Sequence, residues 1–238
     1  MNAAATDRMS NPLPFIVGGG FVVLFVVAGI WQLDRAEEKR AERLAFANAS
    51  GYTSYADGNE VRPFERVEVR GRWLGERQII LDNIIVDTEI GHYVLTPLET
   101  APDEPLVIVN RGFLPLSRDG IDATTVAIAD RVREVRGRIG RLPRAGYRMG
   151  AAIPEVDSWP VHAVYPVYED LEVTLGRPVQ PFVLLLDEAE PNGFGRDWQP
   201  QGIGPGRHLA YATQWFAMAL VLTGLLVWHA RKRSFDND

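Results

Sequence analysis

Histidine is the side chain in this sequence best suited to hold a metal, because the chain has four histidines and no cysteine in 238 residues. One of them, His208, opens an apolar run that ends at Trp228-His229-Ala230. Lipid disfavours an imidazole, whereas haem iron and copper both accept it as a ligand. At about 100° per residue on a helix, Tyr211 falls about 60° and Trp215 about 20° from His208. Arg207 is adjacent, at the water boundary, where it suits an anionic carboxylate arm. A ligand, two flat aromatic surfaces and a cation at the bilayer edge suit a haem, a flat apolar plate with two anionic arms. The same residues also make an interfacial belt that anchors the helix. From spacing alone the belt is the simpler account, and His229 near Arg231 fits it better still.

Other motifs offer less chemistry. His92 and His162 have no second histidine at i+2, i+3 or i+4 and read as surface or core residues. Gly-x-Ser-x-Gly and His-Glu-x-x-His are absent, and no acidic pair is recognisable, so an enzyme is not expected. Gly202-x-Gly204-x-Gly206 lacks the Lys-Ser/Thr pair of a phosphate loop and leads into an apolar run, so it reads as a membrane-entry linker. Without cysteine there are no disulfides, thiolate zinc sites or thiol copper shuttles.

Two stretches, 13–33 and 208–230, meet the roughly 20-residue length that crosses hydrocarbon. Residues 1–12 and 231–238 are short tails, and 34–207 is one large loop, long enough for a domain with its own core. The first span is long for a signal peptide and is followed by Trp31-Gln32-Leu33-Asp34-Arg35 instead of a small-x-small cleavage site. It reads as a retained anchor. Arg231-Lys232-Arg233 puts the C-terminus in the cytoplasm. Arg35, Lys39, Arg40 and Arg43 oppose that orientation, but they alternate with acids in a loop long enough to be translocated regardless. Both tails are therefore expected inside and the domain outside. The loop carries a net charge of about −7, which argues against a nucleic-acid partner.

Within the loop, 34–48 continues the first span as a charged helix, with Glu37 and Arg40 at i,i+3. Gly51 and Asp57-Gly58-Asn59 end it. The period then changes to two. Strands are expected at Val67–Trp73, Gln78–Leu81, Tyr93–Leu98, Leu106–Asn110, Val132–Ile139 and Phe182–Leu186, with a turn at Gly112 to Pro115 leaving the fourth. A helix is expected over Tyr165–Leu175, and Pro200–Gly206 reads as a hinge. The fold class is α+β: two transmembrane helices flanking one extracytoplasmic, mainly antiparallel β domain, a sheet or partial barrel with a few helices. Gly20, Leu24 and Ala28, with Ala212 and Ala219, offer surfaces on which the two spans could pack closely.

Four segments in this order resemble the Surfeit locus protein 1 family: Gly29-Ile30-Trp31-Gln32-Leu33-Asp34-Arg35, Gly91 through Leu98, Val109-Asn110-Arg111-Gly112-Phe113-Leu114-Pro115, and His208 through Phe216. The resemblance runs from the first span to the second. It departs after Arg35, where the family often continues to a tryptophan-lysine pair and this chain reads Ala36-Glu37-Glu38-Lys39. The resemblance implies a non-enzymatic assembly factor of cytochrome c oxidase, a haem-copper terminal oxidase, in a bacterial inner membrane with its domain in the periplasm. It implies haem A as a transiently held cargo, with His208 as axial ligand to the iron, and favours ligand over anchor for that residue. Arg207, Tyr211 and Trp215 would share the site, while Trp31, Arg35, Asn110, Arg111 and Gly112 are further motif positions with less defined roles. The implied partners are oxidase subunit I and membrane lipid, with haem A synthase a further candidate; a quinol oxidase fits as client equally well. A rival reading is a haem-free scaffold that stabilises an early subunit I intermediate, with Asn110 and Arg111 at a strand end facing that partner.

The orientation is directly testable. Alkaline phosphatase fused after Gly120 is expected to be active and a fusion after Arg233 inactive; the reverse pattern refutes the topology.

Overall fold

A computed structural model describes residues 12–56, 60–117, 120–143, 152–153, 158–200 and 202–235. The chain packs as two units: residues up to Leu44 together with those from Gly202 onward, and Ala45–Gln201. The first unit is a helix pair. Helix α1 (Leu13–Asn48) and helix α3 (Pro205–Phe235) are each long and apolar enough to cross a membrane. Their outer faces stay apolar, with Ile16, Val23 and Leu220 more than half exposed. An uncovered apolar helix surface of this kind suits anchoring in a membrane. Beyond the apolar stretch α1 continues as the expected charged helix, carrying Lys39–Glu42 at 2.7 Å and Arg40–Glu37 at 3.7 Å.

Small residues let the two helices approach, though not all at the expected positions. A side chain at Gly18 would meet Leu226, and one at Gly29 would meet Phe216, each at 2.7 Å. Gly20 has nothing nearby and Leu24 is exposed. Gly18 and Gly29 are eleven residues apart, about three turns plus 20°, so they share a face that Gly20 leaves. Ala212 and Ala219 are buried, as the packing idea requires. Pairing of Phe25 with Trp215 (5.7 Å between rings) and Phe15 with His229 (5.8 Å) shows that the helices run antiparallel.

The second unit is an eight-stranded mixed sheet: β1 (Thr53–Ser54), β2 (Arg66–Trp73), β3 (Ile79–Val86), β4 (Glu89–Glu99), β5 (Leu106–Pro115), β6 (Val132–Gly140), β7 (Val161–Ala163) and β8 (Val179–Leu186), in the order β1-β2-β6-β8-β5-β4-β3-β7. A further pairing of β2 with β4, Arg72 opposite Glu99 and Trp73 opposite Leu98, closes β2, β6, β8, β5 and β4 into a ring. Closure removes sheet edges that would otherwise expose unpaired backbone. Most pairings are antiparallel, as expected; β1–β2, β3–β7 and β5–β8 are parallel.

Inside the ring, Val67, Val69, Leu98, Val109, Val135 and Leu184 form one core with contributions from all five strands. Opposite faces of the same strands, through Leu95, Leu106, Ile108 and Val183, pack under Leu171 of helix α2 (Tyr168–Leu175). This two-sided burial explains why β5 and β8 read as continuous apolar runs without alternation.

Several boundaries moved for local reasons. Strand β3 continues past Leu81 because a bulge absorbs Asp82 and Asn83, the latter at φ 59°. Helix α2 starts at Tyr168 and not Tyr165, since Pro166 disfavours a helical residue before it and Tyr165 sits at φ 48°. Gly176, at φ 68°, caps α2 as the sequence implied, its N–H donating to Glu172 O. Strand β5 runs on to Pro115, so the expected turn at Gly112 to Pro115 is instead an irregularity within the strand. Helix α3 begins at Pro205, which shortens the expected hinge; proline suits a first helical position because no N–H is needed there. The Asp57-Gly58-Asn59 cluster lies outside the described residues.

At the ring closure Glu99 accepts from Arg72 (2.6 Å) and also pairs with Arg177. Those two guanidiniums, Arg72 first, hold the Glu99 carboxyl below its usual range. A lowered folded pKa gives stability that is present above the ordinary carboxylate range, about pH 4, and is lost as pH falls through the lowered value. Glu99→Gln is therefore expected to destabilise the protein at neutral pH and to flatten its loss of stability in acid, read by denaturant titration at a series of pH values. Parallel acid profiles for variant and wild type would contradict this.

Candidate functional site

His208 sits in the first turn of α3, half-buried, and its Nδ1 lies 2.8 Å from Oε1 of Gln32 on α1. With the Gln32 amide oxygen facing it, Nδ1 is the donor of this pair, and in the neutral imidazole Nε2 then keeps its lone pair. That is the state in which an imidazole can coordinate a metal through Nε2. Arg207 and Tyr211 are exposed beside it. Trp31, also exposed, and Arg35 lie at the same end of the pair, the Arg35 guanidinium 5.9 Å from the indole centre and paired with Glu38.

Trp215 is placed differently from a free aromatic surface: it is half-buried and packs on Phe25. His208 and Trp215 thus share the face turned to α1, while Tyr211 points away from it. On Tyr211's side of α3 an open apolar groove of about 610 Å³ runs deeper, lined by Phe21 and Phe25 of α1 and by Met218, Leu222 and Leu225. From His208, Tyr211 lies about 60° round the helix and the groove residues of α3 spread from about 40° at Leu222 to about 180° at Ala217, so the groove opens beside Tyr211 and continues onto the face away from His208. His229 is at the other end, against Phe15.

Asn110, Arg111 and Gly112 belong to the sheet unit and are interior residues. Asn110 and Arg111 are 2% exposed, so they do not form a strand-end interface. Leu95 pairs with Asn110 but Tyr93 with Phe113, so Arg111 and Gly112 together face the single Val94. This bulge needs Gly112: its φ is 117°, and a side chain would stand 2.6 Å from Gly195 O. The Asn110 side chain accepts from Gly112 N–H at 3.0 Å. The close approach lets Phe113 and Gly195 exchange backbone bonds of 2.6 and 2.9 Å.

The bulge turns Arg111 into the interior. Its Nε donates to Asn192 O (2.8 Å), and its Nη1 donates to Val126 O (2.6 Å) and Gln78 Oε1 (2.8 Å). Gln78 also accepts from Thr96 (3.0 Å), and Phe194 lies under the guanidinium at 5.0 Å. No carboxylate joins this group among the described residues. Burial lowers the Arg111 pKa to about 10, and at neutral pH it remains a cation held by neutral oxygens.

The two isolated histidines meet in space. His92 Nδ1 lies 2.6 Å from Asp82 Oδ1, and His162 Nδ1 lies 3.0 Å from both oxygens of the same carboxylate. The bulge at Asp82–Asn83 and the parallel β3–β7 pairing bring them together. Among the described residues no group of three or more His, Asp or Glu is arranged to hold a metal ion. Neither this cluster nor the role of Gln32 is legible in the sequence: Gln32 and His208 are 176 residues apart, and Asp82 and His162 are 80 apart.

The sequence model of the SURF1 family matches residues 20–220, from within α1 to within α3. The chain belongs to the SURF1 family. Relatives include a SURF1-like protein of Monosiga brevicollis, 25% identical over 252 residues and covering 97% of this chain and 92% of that protein. A SURF1-like protein of Rickettsia conorii is 25% identical over 227 residues, covering 92% and 91%. One from Rickettsia felis is 24% identical over 217 residues, covering 87% and 92%. The family match spans both the helix pair that carries His208 and the sheet unit that carries Arg111.

Arg111→Leu in this SURF1 family protein removes the Arg111 donor from the Asn192 carbonyl, from Gln78 Oε1 and from the Val126 carbonyl, which keeps only the Gln78 amide at 2.7 Å, and should cost on the order of 2–5 kcal/mol. Arg111→Lys keeps a charge but cannot fork to the same acceptors, so it should also destabilise, by less. Denaturant unfolding of the full chain in detergent, followed by tryptophan fluorescence, measures both; an Arg111→Lys protein as stable as wild type would refute the fork.

Proposed function

We propose that the protein is an assembly factor for a haem-copper terminal oxidase. It holds haem A laterally in a bacterial inner membrane, with its sheet domain in the periplasm, and passes it to subunit I. The observation that carries the reading is His208 at the membrane-helix end with Nδ1 committed to Gln32 and Nε2 free to donate. His208 would supply the axial bond and Arg207 would meet an anionic propionate. Tyr211 offers its exposed ring to the plate edge. The groove below, starting about 9 Å along α3 from His208 at Gln214, suits a long isoprenoid tail that then never crosses water. When bound, the haem supplies an iron that accepts one imidazole nitrogen; the protein itself needs no catalytic step, only a bond weak enough to give up. Subunit I and membrane lipid are the partners this requires, with haem A synthase a further candidate. Membership of the SURF1 family and two apolar helices support this reading.

A haem-free scaffold is the second reading. Ile85 and Ile90, paired across the β3–β4 hairpin, and Leu116 are all more than half exposed, a patch of the kind that protein clients cover.

The visible spectrum of the purified full chain after co-expression with haem A synthesis separates the two. A Soret band is expected, and His208→Ala should accumulate normally in the membrane yet lose it, since alanine favours helix. A colourless wild-type protein that still co-purifies with subunit I would favour the scaffold. Retention of full Soret absorbance by His208→Ala, or disappearance of that variant from the membrane, would remove the support for ligation.

A further inference from the structure

Gln32 lies at the end of the apolar stretch of α1 and has an observable use for its side chain: it accepts from His208 Nδ1 across the helix pair at 2.8 Å. Both residues are half-buried. A helix-capping or surface role would not require an acceptor at this place. Neither would an interfacial belt, since a belt imidazole is satisfied by water from either nitrogen. Ligating histidines, by contrast, commonly donate their second N–H to a fixed acceptor, which sets the tautomer, the ring orientation and the basicity of the ligating nitrogen.

We infer that Gln32 is the positioning residue of the His208 site: it locks the imidazole as the Nδ1–H tautomer and, as a neutral acceptor, sets Nε2 to be a moderate donor suited to a bond that is later surrendered. The functional half of this inference rests on the haem reading above. The chemical step is ligand exchange only. The Nε2 lone pair forms one bond to iron and later withdraws, the Nδ1 proton stays shared with Gln32 Oε1, and no electron or proton leaves the site.

The choice of amide over carboxylate carries the second part. A carboxylate acceptor draws the Nδ1 proton more strongly and makes Nε2 more basic, which tightens the bond to ferric iron and lowers its potential. An amide orients the ring without that increase. Gly29 belongs to the same arrangement, because a side chain there would meet Phe216 and push apart the helices that carry the pair. The helix register that aligns Gln32 with His208 also packs Phe25 on Trp215 and Gly18 on Leu226.

Three measurements on the full chain in detergent test the inference. In haem-free protein with ¹⁵N-labelled histidine, at about pH 8 where an ordinary imidazole is neutral, His208 is expected as the Nδ1–H tautomer. Free imidazole side chains prefer Nε2–H, and Gln32→Leu should return His208 to it. In haem-loaded protein, transfer to excess apomyoglobin should quicken about 10–100-fold in Gln32→Leu. In Gln32→Glu it should slow, with a fall in midpoint potential. Finally, in His208→Gly, added imidazole should restore the Soret band better than 1-methylimidazole, which can bind iron but has no N–H to donate. The two should become equal when Gln32→Leu is added. An Nε2–H tautomer in the wild-type chain, or equal rescue by the two imidazoles with Gln32 present, overturns the assignment even if a substituted chain fails to fold. A locked Nδ1–H tautomer in a chain that takes up no haem overturns the haem reading alone. An unlocked tautomer in a chain that loses haem on His208→Ala overturns the Gln32 assignment alone.

Discussion

A buried guanidinium that meets no carboxylate among the described residues is the constraint around which the sheet unit is organised. Arg111 reaches the carbonyls of two separate loops, at Val126 and Asn192, and the side chain of Gln78 at the start of β3. Its lowered pKa, about 10, means that the folded state at neutral pH carries a cost on the order of 3 kcal/mol for holding the charge. The unfolded chain binds that proton more tightly, so the cost would be relieved only above about pH 10. An interior that bears such a cost must satisfy the donor well, and the fork does so on backbone that other bonds also hold, Val126 O by the Gln78 amide and the Asn192 loop by Phe194 N–H to Arg111 O. The bulge that turns Arg111 inward, the positive φ of Gly112 and the close approach of Gly195 are parts of one device.

The helix pair answers a different constraint. In a membrane, lipid would give no hydrophobic reason for two apolar helices to associate, so close packing and hydrogen bonds would have to do it. Glycines at 18 and 29 permit the approach, and the His208–Gln32 bond joins the pair at one end. A polar pair in that place is costly unless each group has its partner. Under the proposed function, the same bond would also decide which imidazole nitrogen is left to coordinate, linking helix association to the site.

The two units use glycine for the same physical end, letting backbone or a neighbour come closer than a side chain allows. At Gly29 the neighbour is an aromatic ring on the other helix; at Gly112 it is a carbonyl on a returning loop. Both positions fall inside short segments that carry the family resemblance. Those segments therefore hold structural necessity, and a motif residue is not automatically a site residue. Asn110 is such a case, since its side chain serves the neighbouring Gly112 N–H.

Local pattern in the sequence determined the elements. Two apolar stretches of membrane length, a charged continuation of the first, period-two alternation in β2 and β6, apolar runs in β5 and β8, and the glycine cap of α2 all reflect each residue's own preference for lipid, pleat or turn. His208 stood out for the same reason, an imidazole where lipid disfavours one. What depends on residues distant in the chain could not be read that way. Closure of the ring between β2 and β4, the parallel β5–β8 pair, the meeting of His92 and His162 on Asp82, the inward turn of Arg111, and the partner of His208 each need two segments brought together by the whole fold. Propensity and periodicity act over a few residues, whereas these contacts join groups tens to more than a hundred residues apart. Only tertiary packing decides which of the many polar side chains finds which partner.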